Sequence, residues 1–80
     1  MSESILIIGA SGQIGNELTQ ALRLQYGNKQ VIASDIREGD EEMMRSGPFE
    51  IMDATDKEGI LSIVKKYKVT QMLKMSSSLK

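Results

Sequence analysis

The 80-residue chain contains no cysteine and no histidine. Without thiols it has neither a disulfide framework nor a thiolate nucleophile, and without imidazole a zinc site would have to rest on carboxylates alone. Metal chemistry is therefore not expected. Aromatic residues are nearly as scarce, with two tyrosines and one phenylalanine, and the formal net charge is −1. That combination supplies neither a basic field nor a stacking platform, which argues against nucleic acid as a partner. Long apolar runs are missing too. The first one, Ile5-Leu6-Ile7-Ile8, follows Met1-Ser2-Glu3-Ser4 with no basic segment ahead of it, and four residues fall far short of a signal h-region or of the ~20 that span a bilayer. No membrane partner is expected, the arginine-rich look of a transit peptide is absent, and a cytoplasmic location follows by default. Eighty residues allow one small domain with a modest core and exclude a second.

What is present is concentrated at the start. The unbroken run Ile5-Leu6-Ile7-Ile8 suits a strand buried on both faces. It breaks directly into Gly9-Ala10-Ser11-Gly12-Gln13-Ile14-Gly15, three glycines at intervals of three. Glycines at that place let the backbone turn tightly and approach a pyrophosphate that a Cβ would obstruct. The anion would then sit on the N-terminus of the following helix, where unpaired N–H groups and the positive end of the dipole favour it.

Beyond the turn, Ile14, Leu18, Ala21 and Leu22 recur at helical spacing with Glu17, Gln20 and Arg23 on the other side, predicting a helix over residues 13–26. Gly27-Asn28 is a natural stop, the glycine adopting the left-handed conformation without steric cost. Gln30-Val31-Ile32-Ala33-Ser34-Asp35 reads as the second strand. Residues 37–47 are dense in charge and read as a surface loop with room for a short helical turn, closed by Pro48, the single proline. Phe49-Glu50-Ile51-Met52 is a short third strand delivering Asp53. Thr55-Asp56-Lys57-Glu58 matches a capping box, Thr55 accepting from the Glu58 N–H. A second long helix starts there and ends near Tyr67, with Ile60, Leu61, Val64 and Tyr67 as its apolar stripe and Lys57, Lys65, Lys66 and Lys68 outward. Val69-Thr70-Gln71-Met72-Leu73-Lys74-Met75 is the fourth strand, and Ser76-Ser77-Ser78-Leu79-Lys80 turns away from it. The six methionines read as core filler.

Strands alternating with helices call for a parallel α/β sheet with right-handed crossovers. The expected fold is a Rossmann-like half domain of about four strands in the order 3-2-1-4, with helices on both faces. The order reverses between strands one and four, which opens a crevice at their C-terminal ends beside the glycine turn.

Three glycines alone are a weak signal, because many tight strand-to-helix turns need one or two. Their context strengthens them: Asp35 stands twenty residues beyond Gly15, at the end of the second strand. A carboxylate there can accept both hydroxyls of an adenosine ribose and repel a 2′-phosphate, which favours NAD over NADP. Taken singly, Asp35 would be an ordinary strand-end turn residue. Arg37 could bind a 2′-phosphate, stack on adenine or face solvent. Asp53 could accept from the adenine amino group while the Ala54 N–H meets a ring nitrogen, or it could be a loop residue ahead of the Thr55 cap.

The motif Gly9-Ala10-Ser11-Gly12-Gln13-Ile14-Gly15 resembles the G-x-x-G-x-x-G of extended short-chain dehydrogenases/reductases, the group of NAD-dependent epimerases and dehydratases. Within it, Ile8 through Leu18, then Val31-Ile32-Ala33-Ser34-Asp35-Ile36-Arg37, then Gly47-Pro48-Phe49-Glu50 are similar to the N-terminal part of the L-threonine 3-dehydrogenase branch, over about the first seventy residues. The resemblance implies an NAD site made by Gly9, Ala10, Ser11, Gly12, Gln13, Ile14, Gly15, Asp35, Ile36, Arg37, Asp53 and Ala54. It also implies oxidation of L-threonine to 2-amino-3-oxobutanoate by the full-length family member, and it allows a homodimer. The likeness departs at Leu73-Lys74-Met75-Ser76-Ser77, where that branch has Tyr-His-Leu-Ala-Ala on its fourth strand. The branch's catalytic Tyr-x-x-x-Lys has no equivalent in these residues, since Tyr26 is followed four places later by Gln30 and Tyr67 by Gln71. No catalytic residue is therefore assigned. The expectation is a fragment of a longer family domain, carrying half of a cofactor site. The alternatives are a non-catalytic or vestigial nucleotide-binding module, and a fragment of a sugar-nucleotide epimerase/dehydratase.

Overall fold

The computed structural model describes residues 3–75. Its elements alternate as β1 (Ile5–Ile8), α1 (Gln13–Tyr26), β2 (Val31–Asp35), α2 (Glu41–Ser46), β3 (Phe49–Ile51), α3 (Lys57–Tyr67) and β4 (Gln71–Lys74), with a 3₁₀ turn at Asn28–Gln30. The strands form a parallel sheet in the order β3-β2-β1-β4. This is the predicted Rossmann-like half domain.

The unbroken apolar run of β1 follows from its central place. It pairs with β2, Ile5 opposite Val31 through Ile8 opposite Ser34, and with β4, Ile5 opposite Gln71 through Ile8 opposite Lys74. All four of its residues are buried. Because successive side chains leave opposite faces of a strand, Ile5 and Ile7 join Val31, Ala33 and Met43 on the α1 and α2 side, with Leu18, Leu22 and Phe49 against them. Leu6 and Ile8 join Ile32, Met52 and Ile63 on the α3 side, with Ile60, Val64 and Tyr67. Each such side chain stabilises the sheet by about 1.5–3 kcal/mol.

Several details differ from the sequence reading. The short helical turn allowed within residues 37–47 is a six-residue helix over 41–46: Asp40 Oδ1 accepts from the Met43 N–H at 2.9 Å, and Glu41 and Glu42 sit in the first turn, favourable to the dipole. The cap of α3 is Asp56, whose Oδ1 accepts from the Gly59 N–H at 3.0 Å, so the helix begins at Lys57 and the Thr55–Glu58 capping box does not form. Thr55 points back to Asp53 instead. On α3 it is Ile63 that is buried, while Leu61 is 59% exposed.

On α1, Leu18 and Leu22 of the predicted stripe pack on the core, but Ile14 and Ala21 are exposed, and Arg23, expected on the other side, is buried. The fully buried residues of α1 are Gly15, Thr19 and Arg23, and at Gly15 the helix comes too close to the end of β1 for any side chain. Gly27 ends α1 at positive φ, 106°, but with an extended ψ of 146° rather than the left-handed value. The strands are shorter than expected, Gln30 closing the 3₁₀ turn, β3 stopping at Ile51, and β4 occupying only Gln71–Lys74. Of the methionines, Met43 and Met52 fill the core, whereas Met44 and Met72 are exposed. The expected turn after strand four, residues 76–80, lies outside the described residues.

Candidate functional site

The connection from β1 to α1 is held from below. The N–H groups of Gly9 and Ala10 both donate to the Ser34 carbonyl at 2.9 Å, and Ser34 Oγ donates to the Ile7 carbonyl at 2.8 Å. These bonds clamp the turn onto the C-terminal end of β2. Gly9 has φ 85°, a conformation that a side chain resists, and a Cβ there would lie 2.7 Å from the Met75 carbonyl oxygen. A Cβ on Gly15 would lie 2.6 Å from the Gly9 carbonyl oxygen and 2.8 Å from Ala10 Cα, so Gly15 lets helix and strand touch. Gly12 is different. A Cβ there would meet no described heavy atom within 4 Å. Two of the three glycines thus answer to the fold, and the third faces open space.

Gly12 is also the N-cap of α1, and it offers no side-chain hydrogen bond to the first turn. The leading N–H groups of a helix have no intrahelical acceptor, and with the helix dipole they form a natural seat for an anion.

Asp35, the last residue of β2, lies across from this turn. Its Oδ2 accepts from the Ser11 N–H at 3.0 Å and from Ser11 Oγ at 2.6 Å, and its Oδ1 accepts from the Ile36 N–H at 2.6 Å. Partial burial pushes the carboxyl upward. The bonds from Ser11 and Ile36 and the positive charge of Arg37 outweigh that, and hold it below the usual carboxylate value. Asp35 is thus an anion fixed in place. Gly9, Ser11, Gly12, Asp35, Ile36 and Arg37 line one cleft of about 220 Å³.

The structure therefore brings together six of the twelve residues singled out in the sequence. Ala10 is buried beneath the turn and Gly15 packs on the strand, while Gln13 and Ile14 stand exposed at the start of α1. Asp53 and Ala54 lie beyond β3 and outside the cleft's lining. Asp53 is exposed, and its Oδ1 accepts from both the N–H and the hydroxyl of Thr55 at 2.8 Å, bonds that lower its pKa. Ala54 packs on the α3 side of the core. Where the fourth strand departs from the threonine dehydrogenase pattern, Leu73 packs inward and Lys74 is exposed.

No family model matches the chain. Individual relatives do. It is 44% identical over 78 residues to an uncharacterised epimerase/dehydratase of Staphylococcus haemolyticus and 45% identical over 78 residues to one of Staphylococcus saprophyticus, each alignment taking in 96% of this chain and 24% of the relative. Among solved structures, L-threonine dehydrogenase of Clostridium difficile superposes with a TM-score of 0.88 at 48% identity, over 98% of this chain and 25% of that one. A GalE-like L-threonine dehydrogenase of Cupriavidus necator, solved in its holo form, gives 0.85 at 36% identity, over 95% and 24%. This chain matches the N-terminal part of the extended short-chain dehydrogenases/reductases of the epimerase/dehydratase type. It spans about a quarter of the length of the relatives it matches.

The structure also contains contacts that the sequence reading missed. Asn16 Nδ2 donates to Asp40 Oδ2 at 2.8 Å, tying the first turn of α1 to the cap of α2 and so fixing the far side of the loop that carries Ile36 and Arg37. Arg23 donates to the carbonyls of Val31, Met43 and Pro48 and to Ser46 Oγ at 2.7–3.1 Å. Asp40 followed by two glutamates is a legible cap signal, but the pairing with Asn16 joins residues 24 apart and has no local signature. Among the described residues no helix is long and apolar enough to cross a membrane.

Proposed function

We propose that this chain forms the adenosine-diphosphate half of an NAD site in an oxidoreductase resembling L-threonine 3-dehydrogenase, as the N-terminal part of a longer domain. The observation that carries the reading is the open cleft bounded on one side by Gly12, at an uncapped helix N-terminus, and on the other by the Asp35 carboxylate. The donor set fits the cofactor: helix N–H groups for the pyrophosphate, a carboxylate for ribose hydroxyls, and exposed Ile36 and Arg37 beside it for the adenine. A fixed anion at Asp35 disfavours a 2′-phosphate, and hence NADP. Asp53 and Ala54 stand at the end of the neighbouring strand, where they would border the adenine.

When bound, NAD supplies the hydride acceptor for oxidation of a secondary alcohol. The residues here bind and orient its adenosine end. They hold no Tyr-x-x-x-Lys to take the alcohol's proton. L-threonine as the substrate is supported by the likeness to two threonine dehydrogenase structures, and a sugar-nucleotide epimerase or dehydratase by the names of the curated relatives. The 48% identity to the Clostridium difficile enzyme favours the former.

Calorimetric titration of the 80-residue chain with NAD and with NADP tests the cofactor assignment. NAD is expected to bind more tightly than NADP, and Asp35→Ala to reduce that preference by about tenfold, the worth of one charge-assisted contact. Absence of heat at millimolar NAD, or an unchanged preference in the variant, refutes the assignment. The same chain is expected to form no NADH from L-threonine and NAD.

A further inference from the structure

The two edges of the sheet are protected differently. β3 has only three residues, follows Pro48 directly, and has its Glu50 held by Tyr67 and Lys66 of α3. Short length, a proline and a charge all discourage a further strand. β4 is the other edge, and among the described residues it pairs with β1 alone. The Gln71 N–H donates to the Ser4 carbonyl and the Met75 N–H to the Ile8 carbonyl. Alternation along the strand then turns the N–H and C=O groups of Met72 and Lys74 outward, away from β1. Met72 and Lys74 share the face of their partners Leu6 and Ile8, which are buried. Both nonetheless stand exposed, Met72 with 50% of its surface in water. Unpaired backbone groups around an exposed methionine form a template for another strand.

The charges along this edge select the strand. Lys74 stands at its C-terminal end, and Glu3 lies against its N-terminal end, where Glu3 Oε1 accepts from Thr70 Oγ1 at 2.9 Å and from Gln71 Nε2 at 3.1 Å. A second β4 arriving antiparallel about a two-fold axis through Met72 sets Met72 opposite Met72. Lys74 of each copy then comes opposite Thr70 of the other, beside Glu3. A slip of one residue would set outward backbone groups against inward ones, and a slip that brings Lys74 opposite Met72 would leave Glu3 without a cation. We propose that β4 is a self-association edge, through which two copies of this chain join antiparallel with Met72 on the axis and a Lys74–Glu3 pair at each end. The inference goes beyond the nucleotide reading and does not depend on it. β2, which carries Asp35, lies on the opposite side of β1 from β4, so the cleft stays clear of the junction. With four strand residues on each side, the contact is small, and association is weak and reversible.

The test is sedimentation of the 80-residue chain over a concentration series reaching millimolar, repeated for variants of the edge. The unsubstituted chain is expected to pass reversibly from monomer to dimer as concentration rises. Met72→Glu sets two carboxylates against each other on the axis and should abolish the dimer. Lys74→Glu and Glu3→Lys each place like charges together at both ends, and each should weaken association about tenfold. The double variant Glu3→Lys/Lys74→Glu restores opposite pairs and should return to within about threefold of the unsubstituted chain. All three side chains are exposed, so the fold does not depend on burying them. If Met72→Glu nonetheless fails to give a folded amide spectrum, the charge exchange decides alone. A chain that stays monomeric at millimolar concentration, a dimer indifferent to Met72→Glu, or a double variant no better than its single variants overturns the proposal.

Discussion

The guanidinium of Arg23 and the missing side chain of Gly47 share one space: a Cβ on residue 47 would lie 2.7 Å from Arg23 Cζ and Nε. Gly47 has an extended backbone, φ −175°, so its requirement is for room rather than for an unusual conformation. That room lets Arg23 reach the Met43 carbonyl and Ser46 at the end of α2, together with the carbonyls of Val31 and Pro48 on either side. The last carbonyls of a helix have no intrahelical donor, and Arg23 supplies donors at the end of α2. Burial lowers its pKa, but a guanidinium stays charged in any case.

Arg23→Ala is therefore expected to cost about 2–4 kcal/mol, because several buried carbonyls lose their donor together. Gly47→Ala should cost about 1–3 kcal/mol through overpacking. The two should be less than additive, since removing the guanidinium frees part of the space. The relief is incomplete, because the Asn28 carbonyl oxygen stands 2.6 Å from the same Cβ. Urea unfolding of the two single variants and the double variant measures this, and strict additivity would contradict the shared space.

The Arg23 clasp shows where the sequence was legible and where it was not. The strand order, the glycine turn and the place of Asp35 followed from apolar runs and spacing, which are properties of neighbouring residues. The buried face of α1 followed only in part: Leu18 and Leu22 pack on the core, but a stripe continued through Ile14 and Ala21 assumes that apolar side chains mark the closest contact. At close approach the contact is made by Gly15 on the backbone of Gly9 and Ala10, by Thr19 bonding back to the Gly15 carbonyl at 2.7 Å, and by Arg23 reaching carbonyls 8 to 25 residues away. In the site, the identity of Asp35 was readable, but its engagement by Ser11 was not, since it joins residues 24 apart. The capping error at Thr55 was a choice between two adjacent good caps, decided by which one reached the Gly59 N–H.

The three glycines of the turn should separate into two classes on substitution. Gly15→Ala forces a Cβ against backbone atoms that cannot move aside, and is expected to cost about 3 kcal/mol. Gly12→Ala meets nothing in the protein and should cost no more than about 1 kcal/mol, as alanine is a poor N-cap. In nucleotide affinity the order should reverse for the folded variants: Gly12→Ala places a methyl group in the proposed pyrophosphate seat and should weaken ADP at least tenfold. Thermal unfolding paired with ADP titration tests the division. A Gly12→Ala variant that binds ADP normally would remove the turn from the site.

On the α3 side, Glu50 joins β3 to the end of α3. Its Oε2 accepts from the Tyr67 hydroxyl at 2.7 Å and from Lys66 Nζ at 2.9 Å. The Tyr67 bond, with lesser help from Lys66, holds the Glu50 carboxyl below its ordinary value of 4.5, and partial burial together with the same bond raises the Tyr67 phenol above 10.0. A lowered carboxyl pKa stabilises the fold above the unfolded value, and that contribution disappears as pH falls through the folded value. A raised phenol pKa stabilises the fold below the unfolded value and is lost as pH rises through the folded one. The Glu50–Tyr67 bond should therefore support the fold on a plateau between about pH 5 and pH 9 and weaken at both ends. Tyr67→Phe removes it, leaving the Lys66–Glu50 pair, whose lysine is exposed and which is therefore of little worth. The stability difference between the unsubstituted chain and Tyr67→Phe is expected to be about 1 kcal/mol on the plateau. It should shrink as pH falls below about 4.5 and again above about 10, where Glu50 takes up and Tyr67 gives up its proton. Urea unfolding of both proteins across pH 3 to 11 measures the difference, and a gap that stays constant into acid would show that Glu50 is not the acceptor Tyr67 depends on.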